Sequence, residues 1–251
     1  MVRALNRRGW DAMAVNFRGC GGQANARLRF YHSGDTDDLR AVIGHATGQR
    51  SYAGLALIGF SLGGNVVLKY LGETGASVHP LVRAAVTISA PCDLGPAAEA
   101  IGRPRNRLYM KRFLRMLHEK IRMKMEIFPG KIDDRDFHQI KDFRDFDERY
   151  TAPLHGFTGA NDYWTKASSK PFLPNIAVPT LMISAADDPF LSPSCFPRKQ
   201  AGGNSRLFLE IPQHGGHVGF VAFNPEGEYW SESRATAFLE WAWRETGTPA
   251  D

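Results

Sequence analysis

The chain has 251 residues, 43% hydrophobic and 23% charged, which suits one large globular domain or one domain with an insertion and excludes wholesale disorder. Its 25 glycines and 15 prolines follow no fixed period, which excludes a collagen-like chain. The formal net charge of +5 is uneven: residues 103–131 carry ten Lys or Arg and two Glu, a local surplus of +8, so the basicity belongs to one segment.

The elements follow in chain order. The N-terminus is basic but has no sustained apolar stretch before its charges and Gly9, so it does not read as a signal peptide. DAMAVNF (11–17) predicts a strand that ends in the turn RGCGG. TDDLRAVIGHAT (36–47) predicts a helix, with Thr36 as its cap and Asp37 and Asp38 in the first turn, where they suit the helix dipole. LALIGF (55–60) is a continuous apolar run, as expected of a strand covered on both faces. LGGNVVLKYLGE (62–73) is the next helix, and AAVTISAP (84–91) is another buried strand.

Residues 95–170 then contain no clear strand. RNRLYMKRFLRMLHEKIRMKMEIF is a long helical stretch ended by Pro129 and Gly130. The expected organisation is a core of residues 1–94 and 171–251 with a helical cap at 95–170. Phe113, Met116 and Phe128 are expected in the interior of that cap. The rhythm resumes with VPTLMISAAD (178–187), RLFLEIP (206–212) and the helix SESRATAFLEWAWRET (231–246). Short apolar strands alternating with amphipathic helices argue for an α/β fold with a mainly parallel sheet.

The longest strongly apolar stretch, YAGLALIGF at 52–60, is far short of the ~20 residues a bilayer span needs. Cys20, Cys92 and Cys195 are odd in number and widely spaced. They form neither a disulfide framework nor a zinc cluster, which favours a reducing, cytoplasmic setting.

The chemistry concentrates in three places. Gly59-Phe60-Ser61-Leu62-Gly63-Gly64 follows a buried strand and opens a helix, the context of a nucleophile elbow. The turn is tight, so Ser61 is expected in a strained backbone, with Gly59 and Gly63 giving neighbouring backbone room to pass. The Leu62 N–H and the helix N-terminus would face developing negative charge. A serine hydroxyl needs a base, and the base an orienting acid. The acid belongs after the next-to-last strand, where TLMISAADDPF offers Asp187 and Asp188; Asp187, first off the strand, is preferred. The base belongs after the last strand, where LEIPQHGGHVGF offers His214 and His217. Gly215, Gly216 and Gly219 give His217 reach, with His214 as the fallback. No third ligand lies near these histidines, so no metal site is expected.

The strings RGCGG, YHSGDTDDL, GFSLGGN, SAPCDL, AADDPF and HGGHVGF, in this order, resemble the YheT-like branch of the α/β-hydrolase superfamily, whose eukaryotic relatives are abhydrolase-domain esterases. The resemblance implies a serine hydrolase acting on short- to medium-chain acyl esters or acylglycerols, with Ser61 as nucleophile, Asp187 as acid and His217 as base. It implies no cofactor. Members of this branch carry a further N-terminal stretch holding the first strands and a loop with a second oxyanion amide. The resemblance therefore implies an N-terminally truncated chain whose sheet lacks its first strands, leaving the strand at 11–17 without a neighbour on one side.

Two other readings stay open. One is acyl transfer to an alcohol on the same three residues; the other is a catalytically impaired fragment that survives as a binding scaffold. The basic helix at 107–124 reads first as a solvated cap face and second as a lid lying on lipid, a peripheral membrane contact. It does not read as a nucleic-acid site. His32 and the cluster Asp162, Tyr163 and Trp164 read as packing and hydrogen bonding where cap meets core.

Overall fold

A computed structural model of the chain describes residues 1–245 and 247. Four strands form one parallel sheet in the order β1-β2-β3-β4: β1 (Leu55–Phe60), β2 (Val82–Ile88), β3 (Thr180–Ile183) and β4 (Leu207–Glu210). β2 is buried at every position and β3 likewise, as their mostly apolar sequences suit, with Arg83, Thr87 and Thr180 as the polar exceptions. β1, at the sheet's edge, is only partly covered and ends on an exposed Phe60.

The helices are α1 (Val2–Asn6), α2 (Thr36–Gln49), α3 (Leu62–Thr74), α4 (Leu94–Ile101), α5 (Arg107–Ile127), α6 (Phe143–Phe146), α7 (Ala152–His155), α8 (Ala160–Ala167), α9 (Arg198–Gly202) and α10 (Trp230–Glu245). A π-helical turn at Asp147–Thr151 joins α6 to α7. The last residue expected in the final helix, Thr246, lies outside the described residues.

Side chains alternate across the sheet and build two cores. On one face Leu57, Met182 and Leu207 pack with Ile43 of α2 and Val67, Leu68 and Leu71 of α3. On the other, Val86, Ile88, Leu181 and Ile183 pack with Leu5 of α1 and Phe238 and Leu239 of α10. Of the tryptophans in α10, Trp241 lies against Phe208, and Trp243 meets Trp10 edge-on beneath the Arg83 guanidinium.

Three expectations are corrected. Residues 11–17 form no strand. Among the described residues no strand lies beside them to complete a hydrogen-bonded ladder, and the alternating apolar pattern alone does not hold an isolated extended segment. Met13 and Val15 are exposed; Ala12 and Phe17 find side-chain contacts instead, Phe17 by stacking on Tyr31. Thr36 is not the cap of α2 but its first residue, after Asp35. Its hydroxyl donates to Glu73 Oε2 at 2.8 Å and ties α2 to α3. Met116, expected inside, lies 46% exposed on the outer face of α5, off the buried stripe of Met110, Leu114 and Ile121.

Between β2 and β3 the described chain is helix and turn. Ile101, Met110, Leu114, Ile121, Phe137 and Phe146 gather there in a separate apolar cluster. The cluster meets the loop after β3 through Phe190. At the junction the Tyr163 hydroxyl accepts from Ser33 N at 2.9 Å, and Trp164 Nε1 donates to Asp147 Oδ2 at 2.8 Å. Asp162 caps Thr158 N and pairs with Lys166, while the His32 ring rests edge-on against His155 and Tyr163. No described helix is long and apolar enough to cross a membrane.

Candidate active site

The parallel sheet fixes where chemistry can occur. Each strand ends at the same rim, and the loops leaving β1, β3 and β4 rise there together. Ser61 is the first residue after β1. Its backbone stands at φ 49°, ψ −120°, a sparsely populated region for a residue with a Cβ. Two bonds hold it there: Ser61 N donates to Ile88 O at 2.8 Å, and its carbonyl accepts from Gly64 N at 2.9 Å.

Close backbone approach makes this turn possible. A Cβ at Gly59 would stand 2.7 Å from the Gly63 carbonyl carbon and 2.7 Å from Gly64 Cα. A Cβ at Gly64 would meet Ala90 Cβ at 2.8 Å. Gly63 itself has room, its nearest neighbour being the Phe17 ring at 3.6 Å. The required glycines are therefore 59 and 64. Leu62 supplies the first N–H of α3, a group without an intrahelical acceptor.

His217 lies in the loop after β4, and its Nε2 is 2.8 Å from Ser61 Oγ. The loop is tightly coiled, with Gly216, Val218 and Phe220 all at positive φ. Phe220 N donates to Gly215 O at 3.0 Å, and Val218 N donates to Ser89 Oγ at 3.3 Å. Ser89, also at positive φ, anchors the loop to the end of β2.

Asp188, not Asp187, faces this histidine. Its Oδ2 is 2.9 Å and its Oδ1 3.1 Å from His217 Nδ1. The Asp188 side chain is 0% exposed and that of His217 15% exposed. A carboxylate only accepts, so Nδ1 carries the proton and Nε2 is left to accept from the Ser61 hydroxyl. Phe190 N donates to Asp188 Oδ1 at 2.9 Å, and the Phe190 ring lies 4.6 Å from the imidazole.

Asp187 turns the other way. It accepts from Gly216 N at 2.8 Å and lies 3.3 Å from His214 Nδ1, with side chains 43% and 90% exposed. The Gly216 amide first, and His214 after it, hold the Asp187 carboxyl below its ordinary value. His214, the fallback base, points into solvent and bonds to that carboxylate.

The sequence expectation puts Asp187 beside the histidine, and the structure places Asp188 there for a local reason. Pairing with the β4 side runs on past β3: Ser184 N donates to Glu210 O and Ala186 N to Pro212 O. Asp187 thus leaves at the end of an extended path, and only then does the chain fold back, with Asp188 N donating to Ala185 O at 3.2 Å. The Pro189 that follows was the available signal of this reversal. Asn106 was missed altogether; buried at the start of α5, it donates to Ala100 O and Pro189 O and fixes the acid loop to the helical region.

A parallel sheet flanked by helices, with a strained serine at a strand-to-helix turn, defines an α/β-hydrolase. The chain belongs to the family described as serine aminopeptidase, S33 (Hydrolase_4), whose model matches residues 1–201. It is 34% identical over 95% of its length to YheT of Escherichia coli K12, which bears an esterase's name, and spans 70% of that protein. It is 31% identical over 88% of its length to mouse phospholipase ABHD3 and spans 54% of it, so it covers about half the length of several curated relatives. A Pyrococcus furiosus esterase superposes with a TM-score of 0.58 at 18% identity, over 96% of this chain and 74% of that one. A meta-cleavage product hydrolase from Pseudomonas fluorescens superposes with a TM-score of 0.59 at 15% identity, over 96% and 83%. At these identities the two superpositions speak to the fold alone.

Proposed function

We propose that this chain hydrolyses carboxylic esters, with lipid-type or short- to medium-chain acyl substrates, through an acyl-enzyme on Ser61. The observation that carries the reading is the unbroken relay from Ser61 Oγ to His217 Nε2 and from His217 Nδ1 to Asp188. Relatives named as an esterase, a phospholipase and a monoacylglycerol lipase support the substrate class.

The steps follow from the geometry. Ser61 Oγ attacks the ester carbonyl carbon as His217 Nε2 takes its proton. The carbonyl oxygen becomes an oxyanion, met by the Leu62 N–H and the positive end of α3. Collapse of the tetrahedral species breaks the bond to the alcohol, which leaves with the proton from His217. Water then gives its proton to His217, attacks the acyl group and releases the acid and the Ser61 hydroxyl. Asp188 holds the imidazole in the working tautomer and offsets its charge. Residues 95–170 act in this reading as a cap whose Phe190 contact shields the imidazole from bulk water. The three unpaired cysteines suit a reducing compartment such as the cytoplasm.

The test is a panel of p-nitrophenyl esters of increasing acyl length, combined with labelling by a fluorophosphonate. The wild type is expected to turn over the shorter esters and to label, and Ser61→Ala to do neither. A folded wild-type protein that neither labels nor hydrolyses would point to the scaffold reading. Ester product instead of acid when an alcohol is added would point to acyl transfer.

A further inference from the structure

The outer face of α5 has no function in the site described above, yet the helix begins beside that site. Asn106, just before the helix, bonds to the carbonyl of Pro189 beside Asp188. The Tyr109 ring stands 5.0 Å from Phe190, which in turn stands 4.6 Å from His217. The first turns of α5 are thus one aromatic ring away from the imidazole.

The two halves of the helix are used differently. The C-terminal half is tied down: Lys120 donates to Gly19 O, Lys124 to Asn25 and Arg27, and Arg122 pairs with Asp134. In the N-terminal half and the turn before it, Arg103, Arg105, Arg107, Lys111, Arg112 and Arg115 are all exposed. Among the described residues none of them has an ion pair or a side-chain hydrogen bond. Set among them are Leu108, 78% exposed, Tyr109, 53% exposed, and Met116. At 100° per residue, Leu108, Arg112 and Arg115 share the centre of the outward face with a single acid, Glu119, and Met116 lies on its flank.

We infer that this face is a docking surface for an anionic lipid bilayer, which seats the mouth of the Ser61 site against the membrane. Charge complementarity identifies the occupant: unpaired cations on one helical face attract a negative surface. The apolar side chains between them choose bilayer over nucleic acid. A phosphate-tracking groove has no use for an exposed Leu and Met, whereas an interfacial helix sinks such residues below the headgroups. A lipid surface is also where long-chain esters reside; on this point alone the inference rests on the ester-hydrolase reading.

The experiment is sedimentation of the full chain with sucrose-loaded vesicles of phosphatidylcholine alone or with about 30% phosphatidylserine, using Ser61→Ala beside the wild type. Both proteins are expected to partition onto the anionic vesicles at least ~10-fold more than onto neutral ones, and the excess is expected to vanish near ~0.5 M salt as screening shortens. Arg112→Glu with Arg115→Glu is expected to lower that partition ~10-fold or more. Leu108→Gln, which removes apolar area without adding charge, is expected to lower it as well. These exposed positions make no bonds to lose, and far-UV circular dichroism confirms that the variants are folded. Equal binding to neutral and anionic vesicles would overturn the inference, as would variants that bind like wild type. So would single-stranded RNA that strips the protein from vesicles at equal phosphate concentration. Binding with no hydrolysis would sink the ester-hydrolase reading and leave the surface standing.

Discussion

Two Asp–His pairs sit side by side at the rim of the sheet, built from neighbouring residues of the same two loops. Asp187 with His214 is the outer pair; Asp188 with His217 is the inner one. Their residue types are identical and their separations along the chain nearly so. What separates them is water. The outer imidazole stands in solvent, where a polar contact contributes little. The inner carboxylate is sealed, so its bond to the imidazole is worth more and has one geometry. Among the described residues only the inner imidazole has a third partner, Ser61. The outer carboxylate instead holds the backbone of the histidine loop through Gly216. In the proposed reaction the inner pair does the chemistry, while the outer one braces the loop that presents it.

Mutations can break this contrast, and they are expected to do so in a definite order. His217→Ala removes the base, and kcat/KM on an ester is expected to fall by about 10⁴–10⁶-fold. Asp188→Asn keeps the shape but not the acceptor-only character, so the imidazole is held in the wrong tautomer; a fall in kcat of roughly 10⁴-fold is expected, with KM little changed. Steady-state kinetics measures both. If Asp187→Asn proved the more damaging of the two aspartate variants, the assignment of inner and outer roles would be reversed.

A third pair sharpens the role of burial. His32 and His155 meet edge-on where the helical region between β2 and β3 meets the rest of the chain. Burial, reinforced by neighbouring positive charge, pushes His32 down to about 3. Burial, with Arg29 and Arg18 nearby, pushes His155 down to about 4. Among the described residues neither buried ring nitrogen of His155 has a hydrogen-bond partner. As pH falls below the ordinary histidine value of 6.5, the unfolded chain binds protons that the native chain refuses, so stability is lost from there down toward pH 4. Asp147 works in the opposite sense. Burial raises its carboxyl to about 6, so the native state takes up its proton first as pH falls. Two imidazoles outweigh one carboxyl, and the urea midpoint is expected to drop between pH 7 and pH 5. His155→Phe is expected to flatten that dependence; an unchanged slope would remove the junction as its source.

The smallest effect belongs to the outer pair. His214→Ala is expected to change kcat/KM by less than about threefold, because the exposed ring touches neither serine nor substrate. Asp187→Ala is expected to cost about 1 kcal/mol of stability through the lost acceptor for Gly216 N, measured by urea unfolding.

The sequence was legible where local chemistry decides. β1 and α3 emerge almost residue for residue, because an apolar run, a tight glycine turn and an amphipathic repeat each suffice locally. Ser61 and His217 were legible through the glycines around them. The choice between Asp187 and Asp188 was not, since it turns on how far the ladder beside β4 continues before the chain reverses. The expected strand at 11–17 failed because a strand is a property of a pair. Met116 was misplaced because it lies at the margin of the helical stripe, where spacing alone does not say which side a neighbour will cover.

One bond of the site has a consequence for the history of the molecule. Ser61 and His217 are 156 positions apart, and their contact closes nearly the whole length between β1 and the loop after β4. Such a contact forms only after the intervening strands have been laid down in order, since the entropy of closing so long a loop is repaid only by the sheet between its ends. If the proposed hydrolysis holds, its return on refolding is expected to trail the return of helical signal, because it needs β1 and the loop after β4 brought together.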